Sequence, residues 1–288
     1  MTQPDYLDGA ADLHVHSSPD VDPRRYDDIE LAREATRNGM SAVLLKSHQN
    51  STVERALLVS RVVPGIAVFG GLVLNETVGG LNPAAVRLAL RMGARQIWMP
   101  TRSARNHREM NGQDGGISIC DGAPGDLAPE AAEILDLIAA TDCILGTGHL
   151  SPSESALLIR EARARGVRRI LVTHPEWKNT YFPVEMQKDL AEGGSVSFER
   201  CFVSTTHRCG FTPMKTIADA IAQVGIATTV LSSDLGQPDT PPPAEGLRLY
   251  ADQLRSFGFS PEQLHAMMSQ NPRRLLGISP EASTPAAK

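Results

Sequence analysis

Residues 41–75 read SAVLLKSHQNSTVERALLVSRVVPGIAVFGGLVLN. Ser41–His48 is an apolar run that ends on Lys-Ser-His. Val53–Val63 carries apolar residues at helical spacing, and Ala67–Asn75 is apolar again. A strand, a helix and a second strand in so short a stretch make a βαβ unit, whose strands lie parallel because the helix carries the chain back to the starting edge. Neither strand alternates apolar with polar, as expected when helices cover both faces of a sheet.

The unit repeats in both directions. Upstream, Ala11–His16 (ADLHVH) is a strand stopped by Ser-Ser-Pro, and the amphipathic Ile29–Asn38 closes at Gly39. Downstream, five more helix–strand pairs follow: Pro83–Met92 with Arg95–Thr101, Pro129–Ala140 with Cys143–Leu150, Ser153–Arg165 with Arg169–Pro175, Pro183–Ala191 with Ser195–Arg200, and Met214–Val224 with Ala227–Asp234. The helices start at Pro, Ser or Asp and several stop at Gly, as capping requires. Eight strands alternating with helices predict an α/β fold, a single-domain (β/α)8 TIM-like barrel. A doubly wound open sheet obeys the same alternation and is the competing arrangement. The barrel is expected over residues 1–278, with 279–288 a disordered tail of small and polar residues.

Composition narrows the class. The chain has 288 residues, 41% of them hydrophobic and 21% charged, enough for a sizeable core. A formal charge of −5 and only 5% aromatic residues argue against a nucleic-acid partner. No apolar run approaches the roughly 20 residues of a membrane span. The opening MTQPDYLDGAAD is acidic, unlike a signal or transit peptide. Four cysteines without a CxxC pair read as reduced thiols, so a soluble cytoplasmic protein is expected, and association into a homo-oligomer is left open.

The histidines carry the chemistry. In a parallel barrel all C-terminal strand ends converge on one mouth. His14 and His16 end the first strand, His48 the second, His149 the fifth and His174 the sixth; Asp234 ends the eighth, and Lys46 sits inside an apolar strand. Residues two apart on a strand point to one side, so His14 and His16 can chelate one ion. Imidazoles with a carboxylate and no thiolate suit Zn²⁺ first, with Mn²⁺ or Fe²⁺ as alternatives.

HxH on the first strand, His on the fifth and sixth, and Asp on the eighth resemble the amidohydrolase superfamily of metal-dependent hydrolases. The closing NPRRLLGI, Asn271–Ile278, is similar to a motif common in those enzymes. The resemblance spans nearly the whole chain and suits a compact branch without an extra β-sandwich. It implies that His14 and His16 hold one metal, that His149 and His174 hold a second when two ions bind, and that Asp234 touches the first metal and shuttles a proton. With one ion, His174 becomes an acid–base candidate. The carboxylated Lys or Glu that usually bridges the two ions is missing from the fourth strand, which ends WMPTRS. Lys46 is the substitute bridge and Glu76 a second candidate. Histidinol-phosphatase-like phosphoesterases also begin DxHxH, but they usually finish Asp-x-His where this chain has SSDLG.

The resemblance implies hydrolysis, by a metal-activated water, of a C–N or C–O bond in a small molecule such as an amide, lactam or lactone; a mononuclear decarboxylase or lyase is the alternative. A polar insertion, 102–126 (RSARNHREMNGQDGGISICDGAPGD), follows the fourth strand, where barrel enzymes place substrate loops. Arg102, Arg105 and His107 within it, with Asn75, Trp177, Glu199 and Arg200, are the substrate-contact candidates, and the arginines point to an anionic substrate.

Overall fold

The computed structural model describes residues 6–122, 125–206, 208 and 210–278; the expected tail 279–288 and Cys209 lie outside the described residues. Nine strands run in chain order: β1 (Ala11–Val15), β2 (Ala42–Leu45), β3 (Ala67–Phe69), β4 (Gly71–Val73), β5 (Gln96–Trp98), β6 (Ile144–Gly146), β7 (Ile170–Thr173), β8 (Val196–Cys201) and β9 (Thr229–Ser232). The helices are α1 (Asp28–Arg37), α2 (Val53–Val62), α3 (Pro83–Arg91), α4 (Arg105–Met110), α5 (Pro129–Ala139), α6 (Pro152–Ala164), α7 (Val184–Ala191), α8 (Met214–Val224), α9 (Pro243–Ser256), α10 (Pro261–His265) and α11 (Asn271–Leu276).

The described residues form two compact units. The first takes in the described residues up to Lys46, Glu54–Gly70 and those from Arg200 onward, and the second Ser47–Val53 and the described residues of Gly71–Glu199.

In the first unit β1, β2 and β3 pair in parallel, with Ala11 opposite Ala42 and Ala42 opposite Ala67. The segment after β9 is tied to β1: Asp234 N donates to His14 O at 2.7 Å, and His16 N donates to Leu235 O at 2.8 Å. Leu31, Val43, Leu45, Ile221, Leu231, Tyr250 and Leu254 fill its core. Asp27 and Glu30 close a reciprocal capping box at the start of α1. In α11, Asn271 Nδ2 donates to Ile226 O and Thr229 O, so the closing motif grips the chain where it enters β9.

In the second unit β4 to β8 pair in parallel in sequence order, with Leu72 opposite Ile97, Ile97 opposite Leu145, Leu145 opposite Ile170 and Ile170 opposite Val196. Ile97, Trp98, Leu145, Leu171 and Phe198 are fully buried, as are Ile134 of α5 and Leu158 of α6.

The structure departs from the sequence reading in three ways. The expected third strand is two, β3 and β4, separated at Gly70. Gly71 must lie close to the backbone of Gln96 and the ring of Trp98, where a Cβ would collide. Thr52 takes over the ladder there: its N–H donates to Gly71 O at 3.1 Å, and its Oγ1 accepts from Gly71 N at 2.9 Å. The ladders also stop early, so Lys46 and His48 lie just past β2, His149 three residues past β6, and His174 directly after β7. Finally, α4 and α9 were not expected. In the Pro-Pro-Pro at 241–243, Pro242 takes the N-cap position of α9 and Pro243 its first turn, where no N–H is needed.

Candidate functional site

Within the first unit, His14 Nε2 and His16 Nε2 both lie 3.0 Å from Asp234 Oδ1. The two rings are 5.5 Å apart between centroids, on one side of the strand. His14 is fully buried and His16 nearly so. Burial pulls His16 down to about 4, with the Asp234 hydrogen bond opposing. Its imidazole is therefore neutral at pH 7, the form that donates a lone pair to a metal. Asp234 has φ 52, a left-handed conformation unusual for a residue with a side chain. Its backbone N–H bond to His14 O and the bond from Gln237 Nε2 to its own carbonyl, 3.2 Å, hold it there. Gly236 is the one residue that fits next to it, because a Cβ would strike the carbonyl of His16.

Behind the histidines, Asp12 accepts from His14 N (3.2 Å), Ser233 N (3.0 Å) and Ser233 Oγ. Burial raises the Asp12 carboxyl to about 6 against these bonds. Lys46, 1% exposed, brings Nζ to 2.8 Å from His14 Nε2.

Cys201 was missed by the sequence reading. Its Sγ lies 3.6 Å from His14 Nδ1, the ring nitrogen on the edge away from Asp234 and Lys46. One potential ligand atom each from His14, Cys201 and Asp234 lies within 4.8 Å of the others. A thiol at the end of an apolar strand looks like core in a sequence, so only the fold could have found it. The donor set fits a divalent ion: ligands 2.0–2.1 Å from a tetrahedral metal stand about 3.3 Å apart, close to the 3.0 Å separations here.

Within the second unit four histidines gather. The ring of His149 is 4.9 Å from that of His107, 5.8 Å from that of His174 and 6.3 Å from that of His48. Trp177 packs against three of them, at 5.1 Å from His149, 5.7 Å from His174 and 5.8 Å from His107. His107 and His149 meet Nδ1 to Nδ1 at 3.0 Å. Burial, with Arg102 nearby, lowers His107 to about 4. His174 has φ 53, held by Thr180 Oγ1 and Trp177 N donating to its carbonyl. Gly148, at φ 60, lies so close to the Met99 carbonyl that no side chain fits, which sets the turn into His149.

The expected substrate residues are sorted by their surroundings. Asn75 is committed to the protein: Nδ2 donates to His48 O and Thr101 Oγ1, and Oδ1 accepts from Thr101 N and Ser103 N. With every amide position taken, it braces the loops carrying His48 and Thr101 and is not a substrate contact. Arg200 is also not on a rim. It is 1% exposed, and its Nη1 reaches Thr229 Oγ1 at 3.3 Å, at the opening residue of β9, the opposite end of that strand from Asp234. Glu199 is buried on β8 opposite Thr173, and its carbonyl accepts from His174 N. Arg102 and Arg105 are exposed, and Trp177 is half-buried. Glu76 faces outward, where both its carboxylate oxygens bind Arg108 Nη2 at 2.8 Å, so it bridges no metal.

Solved structures with similar folds include an amidohydrolase from Pseudomonas aeruginosa (TM-score 0.67, 10% identity, 94% of this chain and 96% of that one). A Pseudomonas putida protein described as a candidate 2-pyrone-4,6-dicarboxylic acid hydrolase (0.58, 19%, 93% and 97%) is another. A 2,6-dihydroxybenzoate decarboxylase from Rhizobium (0.52, 13%, 94% and 99%) is a third. These likenesses show an α/β TIM-like barrel fold. The chain belongs to a family of unknown function (DUF6282), whose model matches residues 9–198. No curated protein matches the chain in sequence.

Proposed function

We propose that the chain is a metal-dependent hydrolase that acts on a C–N or C–O bond of a small anionic molecule. The observation that carries this is the pair of buried imidazoles of His14 and His16 converging at 3.0 Å on one oxygen of Asp234. His14, His16 and Asp234 hold a divalent ion, most simply Zn²⁺, with Mn²⁺ or Fe²⁺ as alternatives. His149 and His174 would hold a second ion when two bind. The bound metal supplies a water of lowered pKa and a Lewis acid for the scissile carbonyl. Asp234 accepts the proton of the attacking water and returns it to the leaving group. Arg102 and Arg105 on the exposed insertion receive the anionic group of the substrate. Two neighbours are named for carboxylate-bearing compounds, a pyrone dicarboxylic acid and a dihydroxybenzoate, which supports an anionic substrate. A cytoplasmic location accords with a chain in which, among the described residues, no helix is long and apolar enough to cross a membrane.

A second reading, a mononuclear decarboxylase, is favoured by the lack of a carboxylate on β5 and by the Rhizobium decarboxylase among the neighbours. A panel of carboxylate-bearing lactones, amides and benzoates, offered to the zinc- and manganese-loaded protein, separates the two. Ring opening or amide cleavage supports hydrolysis. Carbon dioxide release without water incorporation overturns it in favour of the decarboxylase.

A further inference from the structure

The insertion after β5 contributes an imidazole that belongs to no barrel strand. His107 lies in α4, and its Nδ1 meets Nδ1 of His149 at 3.0 Å, with the two ring planes 27° apart. The residues on both sides of His107 are fixed. Asn106 Nδ2 donates to His149 O at 3.1 Å and to Asn179 O at 2.7 Å, and Arg108 pairs with Glu76 at 2.8 Å. The insertion is closed beneath them by Ile117 N donating to Ser103 O at 2.7 Å and Arg105 N donating to Ile117 O at 2.8 Å. Gly116 is required at that crossing, because a Cβ would stand 2.8 Å from the backbone of Arg105. A short polar helix tied at so many points presents His107 in one orientation, which is the pre-organisation that a ligand needs.

We infer that His107 is a metal ligand: with His149 it forms a two-imidazole clamp for a divalent ion of borderline softness, with His107 supplied by the insertion. Two ring nitrogens on one metal at 2.0–2.1 Å stand about 2.9 Å apart at a right angle and about 3.3 Å apart in a tetrahedron, so a 3.0 Å pair closes on an ion with little movement. Trp177 packs beside both rings, tilted against His107 at 5.8 Å and edge-on to His149 at 5.1 Å. The inference rests on the proposed second ion at His149 and adds the residue that completes its hold.

The test is a titration of metal-free protein with Co²⁺ and with Zn²⁺, on wild type, His107→Ala and His107→Gln, read by bound metal per chain. It is joined by ¹⁵N NMR of the imidazoles. Wild type should take up two ions, and both variants should lose one of them by more than the 10–100-fold that removal of an outer partner costs. Zn²⁺ should move the Nδ1 resonance of His107 to a metal-bound position. The Gln variant retains a hydrogen-bonding group at 107, so a merely structural contact would leave its second ion in place. Both ions retained by both variants, or an Nδ1 resonance indifferent to zinc, overturns the role of His107 and leaves the parent reading intact. A wild type that binds no ion at all removes the parent reading instead.

Discussion

Asp234 is asked to do two things, to hold an ion and to move a proton, and its surroundings bear on both. One carboxylate oxygen faces two imidazoles and the backbone is locked in a left-handed turn, so the side chain has little freedom to leave the site. Asp234→Asn keeps the shape and removes the base. Metal binding should largely persist while turnover falls by about 10²–10⁴, the usual contribution of acid–base help. Steady-state kinetics beside metal content check this, and an Asn variant at full rate would show that the proton goes elsewhere. Cys201 makes a subtler case. His14 uses Nε2 toward Asp234 and Lys46 and Nδ1 toward the cysteine sulfur, so the thiol sets which nitrogen keeps its lone pair. Cys201→Ala should weaken metal binding by about 10–100-fold. Cobalt-loaded wild type should lack an intense sulfur-to-cobalt absorption band, and the presence of one would make Cys201 a ligand itself.

At the level of the element, much of the plan was legible. Capping residues and glycine stops marked α1, α6 and α8 to within a residue or so, because helix ends follow local chemistry. The strand-end histidines were visible because each follows an apolar run. What stayed hidden depends on contacts between distant residues. The division at Gly70 follows from Thr52 bonding Gly71, and α9 follows from packing that requires Gly246 against Leu235 and Phe202. Asn75 and Arg200 read as rim residues because polarity alone does not tell a bracing amide or a buried guanidinium from a substrate contact. Glu34, on the buried side of α1, gives an element-level prediction. Burial raises its carboxyl above the ordinary value of 4.5, against a bond from Ala244 N and the charge of Arg37. A group that binds its proton more tightly in the folded chain loses stability as pH rises from its unfolded value through its folded one, and the deficit stays above that. Glu34→Gln should therefore raise the melting temperature at pH 7–8, and the gain should close on acidification to about pH 4. A gain that persists at acid pH would mean that packing, not charge, is responsible.

For the whole molecule, the decisive link is between ion and fold. Ligands drawn from the end of β1 and the turn after β9 tie together the start and the late part of the chain, so an ion that binds only the folded form must stabilise it by mass action. Zinc at about a hundred times its dissociation constant should add about 2.7 kcal/mol, seen as a melting temperature raised by several degrees and reversed by a chelator. The same experiment on His16→Ala should show little or no rise, and an equal rise there would place the ion elsewhere.

The most direct measurement is anomalous X-ray scattering at the zinc edge from crystals of zinc-loaded protein. The account predicts a strong peak within about 2.2 Å of His14 Nε2, His16 Nε2 and an oxygen of Asp234. A map with no peak there, from crystals whose zinc content is confirmed, would contradict it.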